Sequence, residues 1–214
     1  GADARGADSR HGPGFEAGEQ VGHVFVLHPA HRTIGGGAAH NDPAGEIPSA
    51  LLALDAGILI RNAAGEVREE AAADFFVTYL TTTLEPTDLL MGFRIPVHPP
   101  GSGFAVKERA RRRGDFAIAG SMALVTVEDG VCKRASVALM GVGPTAVRAV
   151  RAAESLDGTE PTAARIDEAA RLAGEEADPD GDIHATVEFR RDLVEHLTRA
   201  CLTGAFQNAG GGPG

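Results

Sequence analysis

The chain has 214 residues, 43% of them hydrophobic, and 20 Lys and Arg stand against 30 Asp and Glu for a net charge of −10. That length and apolar content allow one large or two small domains with a core, while the acidic balance argues against a general nucleic-acid or anionic-membrane surface. Two cysteines, Cys132 and Cys201, are too few for the ligand set of an iron–sulfur cluster or structural zinc site, and no apolar run approaches the ~20 residues that span a bilayer.

Residues 1–20 are polar and rich in Gly, Ala and Asp, so residues 1–31 are expected as a disordered or truncated N-terminal segment. A short apolar patch, Val21 to Leu27, precedes His28, Pro29 and His31. The two histidines have no third ligand nearby, so no metal site is assigned. Arg32 to Pro43 then carries three consecutive glycines, Gly35, Gly36 and Gly37, behind Thr33 and Ile34. Glycine lets a ligand approach the main chain. Read as a loop, this run exposes successive N–H groups that can line an anionic group. A mobile surface loop is the bland alternative for the same residues.

Ser49 to Ala56 is expected as a short helix and Gly57 to Arg61 as a strand. Asn62-Ala63-Ala64-Gly65 has turn chemistry, with Glu66-Val67-Arg68 returning as the hairpin partner. Ala72 to Tyr79 reads as a short helix, Thr81 to Thr83 as loop or extended chain, and Leu89 to Ile95 as a strand ending at Pro96. Val97-His98-Pro99-Pro100-Gly101 marks a boundary. Phe104 to Arg109, Ala117 to Val127 and Val131 to Leu139 then predict an antiparallel three-stranded meander, the last two joined at Glu128-Asp129-Gly130.

Ala146 to Leu156 looks helical. Pro161-Thr162 opens a helix with Ile166, Ala169, Ala170 and Ala173 on one face. A last helix runs from Ala185 to Cys201, with Val187, Leu193, Val194, Leu197, Ala200 and Cys201 along a stripe of helical period. Asp178 to Asp182 has the look of a calcium loop, but Gly181 stands at the fourth position and Phe189 at the twelfth, so it reads as a turn. Four Arg in the five residues 109–113 read as a solvated face, or as a contact for a phosphate or an acidic partner surface. The fold class expected is α+β: residues 32–98 as one lobe, 99–204 as a small antiparallel sheet covered by helices, and 205–214 as a flexible tail.

Several segments occur in a telling order: Thr33 to Gly37, Leu84-Glu85-Pro86-Thr87-Asp88-Leu89-Leu90, Arg112-Arg113-Gly114-Asp115-Phe116-Ala117, Met140 to Thr145, and Asp182-Ile183-His184-Ala185. In that order and at those distances, residues 32–203 resemble the FAD-binding medium subunit of the molybdenum hydroxylases, the aerobic carbon monoxide dehydrogenase and xanthine dehydrogenase type. The resemblance implies that 32–98 is the second lobe of an FAD-binding domain and 99–204 the C-terminal flavoprotein domain. It implies FAD contacts at Thr33, Ile34, Gly35, Gly36, Gly37, Glu46 and Leu90. It implies no catalytic acid, base or nucleophile on this chain.

By the same resemblance, relatives place a Lys near the flavin where this chain has Glu108. Lys107 stands one residue early, and one residue reverses the face of a strand, so Lys107 is left out of the site. Asp42 is expected to bond its own backbone ahead of Pro43, and Asp115 to fix a turn. The first FAD lobe of the family has no counterpart in residues 1–31. The function implied is electron transfer from iron–sulfur clusters on a small subunit through FAD to an external acceptor. A large subunit would carry the molybdenum cofactor, in a dimer of heterotrimers in the cytoplasm. The rival readings are an interaction domain of the same fold that has lost FAD, and a small ligand-binding domain unrelated to flavin.

Overall fold

A computed structural model describes residues 33–112, 114–181 and 185–210, so the expectations for residues 1–31 lie outside the described residues. The first lobe begins with two short helices, α1 (Ile34–His40) and α2 (Glu46–Ala53). Strands β1 (Gly57–Arg61), β2 (Val67–Ala71) and β5 (Leu89–Arg94) form an antiparallel sheet in the order β2-β1-β5. Between β2 and β5 lie α3 (Ala72–Phe75) and a small hairpin of β3 (Phe76–Thr78) and β4 (Thr81–Thr82). The predicted helix over Ala72 to Tyr79 therefore stops after one turn. Phe76 takes extended backbone and stays buried, and its chain pairs with Thr82 instead of continuing the helix.

The second half holds β6 (Ser102–Ala110), β7 (Ala117–Glu128), β8 (Val131–Met140) and β9 (Val147–Arg148), ordered β6-β7-β8-β9 and antiparallel throughout. Asp129 and Gly130 both have positive φ, 51° and 76°. That is the two-residue hairpin geometry whose twist matches the flanking strands. The predicted helix over Ala146 to Leu156 divides into β9 and α4 (Val150–Glu154), because Val147 pairs with Leu139 first.

Two longer helices follow. In α5 (Ala163–Glu176), the Thr162 hydroxyl caps the Arg165 N–H. In α6 (Val187–Asn208), the Thr186 hydroxyl caps the Phe189 N–H. Ile166, Ala169, Ala170 and Ala173 of α5 are all buried, as the stripe predicts. Helix α6 runs past Cys201 into the stretch expected as a flexible tail, because Leu202, Ala205 and Phe206 are fully buried there. Burial holds both thiols protonated, with Cys132 pushed up to about 11 and Cys201 to about 12.

The larger sheet is covered on both faces, so its strands alternate between two cores. Ala119, Ala123 and Val125 of β7 pack toward α5 and α6. Met122 of β7, with Ala138 and Met140 of β8, packs toward α2, Ile58 and Ile60 of the first lobe. Polar ties cross the same boundary. The Ser49 hydroxyl donates to the Leu139 carbonyl at 3.3 Å, and the Gly141 N–H to the Pro43 carbonyl at 2.7 Å. Asp55 accepts from both Arg134 and Arg148.

Candidate functional site

The glycine run is a helix rather than the open loop expected from its composition. Thr33 has extended backbone, and its hydroxyl accepts from the Gly36 N–H at 2.9 Å. The Gly37 N–H then bonds the Thr33 carbonyl at 2.9 Å, closing the first turn. The capping hydroxyl offsets the poor helix propensity of three glycines. Ile34 and Gly35 occupy the first two helical positions, so their N–H groups have no acceptor inside the helix.

The run forms a bare ridge of main chain between two apolar neighbours. A Cβ on Gly35 would meet the Leu90 side chain at 3.6 Å, one on Gly36 the Thr33 hydroxyl at 3.0 Å, and one on Gly37 the Ile47 side chain at 3.1 Å. Leu90, half-buried on β5, therefore lies against the start of α1 and also packs on the first-lobe core. Glu46 is the exposed acid in the first turn of α2, one residue before Ile47. The fold thus brings Thr33, Ile34, Gly35, Gly36, Gly37, Glu46 and Leu90 into one neighbourhood from three elements.

Sequence reasoning missed Asn41, the residue that holds α1 in place. It is fully buried and sits in the left-handed region at φ 48°, as the C-cap of α1. Its side-chain amide donates to the Thr78 and Thr81 carbonyls at 2.7 and 2.8 Å, and its Oδ1 accepts from the Thr145 hydroxyl at 2.9 Å. One side chain therefore ties α1 to the β3–β4 hairpin and to the loop after β8. An Asn shortly after a Gly/Ala run, with only His40 between, was the available signal. Asn41→Ala should cost about 3 kcal/mol, since a fully buried side chain that bonds three partners is lost; thermal unfolding that stays within the error of the native protein would refute this. The neighbouring Asp42 makes the expected turn, its Oδ1 accepting from the Ala44 N–H at 2.9 Å. His40 is exposed in the last turn of α1.

The register of β6 settles which side of the strand faces the first-lobe core. Glu108 pairs with Gly120, which pairs with Met140 of the first-lobe core. Lys107 pairs with Ser121, and its neighbour Ala105 packs on the helix-covered core. Lys107 therefore points away from the first lobe and Glu108 toward it. Glu108 is exposed, and slight desolvation, followed by the charge of Glu46, pushes its carboxyl above its ordinary range.

After β6, Asp115 donates its N–H to the Arg112 carbonyl at 3.1 Å in a turn, and Arg109, Arg111 and Arg112 are exposed. Arg111 also lines a cavity of about 450 Å³ with Asp42, Tyr79, Phe116, Asp180 and Arg190. None of the seven predicted cofactor residues lines it. Among the described residues, no group of three or more His, Cys, Asp or Glu is placed to hold a metal.

Residues 17–98 match the FAD binding domain in molybdopterin dehydrogenase, and residues 104–205 match the CO dehydrogenase flavoprotein C-terminal domain. The chain is 34% identical over 190 residues to the 6-hydroxypseudooxynicotine dehydrogenase complex subunit alpha of Paenarthrobacter nicotinovorans, covering 87% of this chain and 64% of that protein. It is 33% identical to the carbon monoxide dehydrogenase medium chain of Afipia carboxidovorans, covering 83% and 61%. The solved structure of the carbon monoxide dehydrogenase from Hydrogenophaga pseudoflava that lacks the Mo-pyranopterin moiety superposes with a TM-score of 0.80 at 28% identity, over 83% of this chain and 61% of that one. The chain thus spans less than two thirds of the length of these relatives.

Proposed function

We propose, from the premise that the chain belongs to the FAD-binding medium-subunit family of the molybdenum hydroxylases, that it carries FAD as the electron-transfer component of such an oxidoreductase. The single observation that supports this most is the bare glycine ridge at the capped start of α1, set between Leu90 and Ile47 and next to Glu46. When bound, FAD supplies the redox chemistry, accepting and releasing electrons singly or in pairs.

The chain's own residues then bind and orient. The Ile34 and Gly35 N–H groups, without acceptors in the helix, are donors for an anionic or carbonyl group. Gly35, Gly36 and Gly37 admit a flat or anionic surface to the main chain. Thr33 fixes the first turn, Leu90 supplies an apolar wall, and Glu46 is an acceptor for a hydroxyl. No residue has to act as acid, base or nucleophile.

In this reading electrons arrive from iron–sulfur clusters on a small partner subunit and leave to an external acceptor such as a quinone, a nicotinamide cofactor or oxygen. A large subunit holding the molybdenum cofactor oxidises the substrate, and the assembly is a dimer of heterotrimers in the cytoplasm. No helix among the described residues is long and apolar enough to cross a membrane.

The test is a visible absorption spectrum of the purified protein, taken after adding FAD and desalting. Flavin bands that remain with the protein are the expected result. A colourless protein, with the natural chain complete, would overturn the FAD reading in favour of an interaction domain.

A further inference from the structure

Helix α1 has little of its own to hold it. It is seven residues long, three of them glycine, and Ala38 is its one buried residue. A helix this short is not stable alone, so the contacts at its end fix where the glycine ridge lies. Asn41 makes those contacts. Its amide nitrogen faces two carbonyls, those of Thr78 and Thr81, which settles the orientation of the amide. The Oδ1 atom of this fully buried side chain is left in need of a donor. The Thr145 hydroxyl, 104 residues further along the chain, donates to it at 2.9 Å.

Thr145 is itself carried on a fixed loop. After β8 the chain turns at Gly141 with φ 73°. A Cβ there would lie 2.9 Å from the Ala117 carbonyl oxygen and 3.0 Å from that of Ile118. Arg190 of α6 donates to the Ile118 and Gly141 carbonyls. Val142 is fully buried, and its carbonyl accepts from the Asp178 N–H at 2.9 Å, just past α5. The Gly141 N–H reaches the Pro43 carbonyl of the first lobe. The loop is thus anchored by β7, α6 and the end of α5, and Thr145 stands where the second half of the chain meets the C-terminal end of α1. It is not among the residues proposed to contact FAD.

We infer, on the FAD reading above, that Thr145 is a positioning residue for the cofactor: through Asn41 it sets the pose of α1, so that the second half of the chain controls how tightly the glycine ridge holds its ligand. Asn41 lies one turn from Gly37, whose carbonyl accepts the Asn41 N–H at 3.2 Å. Loss of the Thr145 hydroxyl leaves Oδ1 buried without its donor. Asn41 regains a partner only by shifting, and α1 shifts with it. The Ile34 and Gly35 N–H groups, aimed by the helix, then lose their alignment with the ligand.

The experiment uses the natural full-length subunit and compares the native protein with Thr145→Val, which keeps the shape and drops the hydroxyl, and Thr145→Ser, which keeps the hydroxyl. Three quantities are read: the dissociation constant of FAD, the visible circular dichroism of the bound flavin, and amide hydrogen exchange in the FAD-free protein. In Thr145→Val the dissociation constant should rise about tenfold and the flavin dichroism should change. The Gly36, Gly37 and Asn41 amides should exchange about tenfold faster, with those of β6, β7 and β8 unchanged. Thr145→Ser should return all three quantities close to native. Native FAD affinity and dichroism in Thr145→Val would overturn the inference and leave the cofactor reading standing. So would exchange that quickens equally throughout the chain, the mark of a merely structural bond, or a Thr145→Ser as weak as Thr145→Val. Should Thr145→Val fail to fold, Thr145→Ala is measured in its place, and failure of both overturns the inference. Absence of FAD binding by the native subunit would overturn both readings.

Discussion

Gly103→Val is expected to destabilise the protein by about 3–5 kcal/mol, more than any other single change considered. Gly103 is the second residue of β6, where the end of α6 crosses it. A Cβ there would run into the Ala205 carbonyl oxygen and the Ala209 amide, and would stand 2.9 Å from the Asn208 carbonyl carbon. These are backbone atoms of a helix, so no side chain can turn aside. The Ala209 N–H is already committed to the Ala205 carbonyl at 2.9 Å, and the Asn208 amide donates to the Phe104 carbonyl at 2.8 Å. Relief requires α6 to lift from the sheet, which uncovers Ala205 and Phe206, both fully buried. A chain of this size loses roughly 2–4 °C per kcal/mol, so calorimetry should show unfolding about 10 °C lower. A shift of less than about 3 °C would mean that α6 does not approach β6 as closely as described. Gly210→Ala, where a Cβ would meet open space but φ is +80°, should cost only about 1 kcal/mol.

Gly36→Val should remove FAD retention while leaving the fold largely intact. Gly36 is exposed, and its Cβ would lie 3.0 Å from the Thr33 hydroxyl that caps its own N–H. A branched side chain there disturbs the cap at a cost of about 1 kcal/mol. It also raises a wall on the ridge that the cofactor has to approach. Flavin content after desalting should fall at least about tenfold, with unfolding within about 4 °C of native. Flavin content equal to native would sink the assignment of the ridge. A collapse of stability equal to that of Gly103→Val would mean that Gly36 is structural first.

The two substitutions also show why parts of this molecule were readable from its residues and others were not. The meander was legible because alternation and the Asp129-Gly130 turn are local signals with one outcome. Helices α5 and α6 were legible from Thr162 and from stripes of helical period, since caps and periodicity act within a few residues. Glycine composition misled at residues 34–40. Three glycines favour a loop on propensity alone, but Thr33 at one end and Asn41 at the other close a helix around them. The segment over Ala72 to Tyr79 misled for a different reason. Its helical character is local, and the pairing of Phe76 with Thr82 that overrides it is not. The end of α6 was read as a tail because its Gly and polar residues hide the burial of Ala205 and Phe206 against β6.

Short-range chemistry therefore specified most of the elements here, along with the α+β class and the family to which the motifs in series belong. The folded chain alone decided three things. Asn41 joins α1, the hairpin and the loop after β8 through bonds spanning 37, 40 and 104 residues. The larger sheet carries a core on each face. Glu108, and not Lys107, stands on the face of β6 turned toward the first lobe. Each depends on strand register or on a contact between distant segments. Such contacts are set by the burial of whole faces together, and no window of neighbouring residues contains that information.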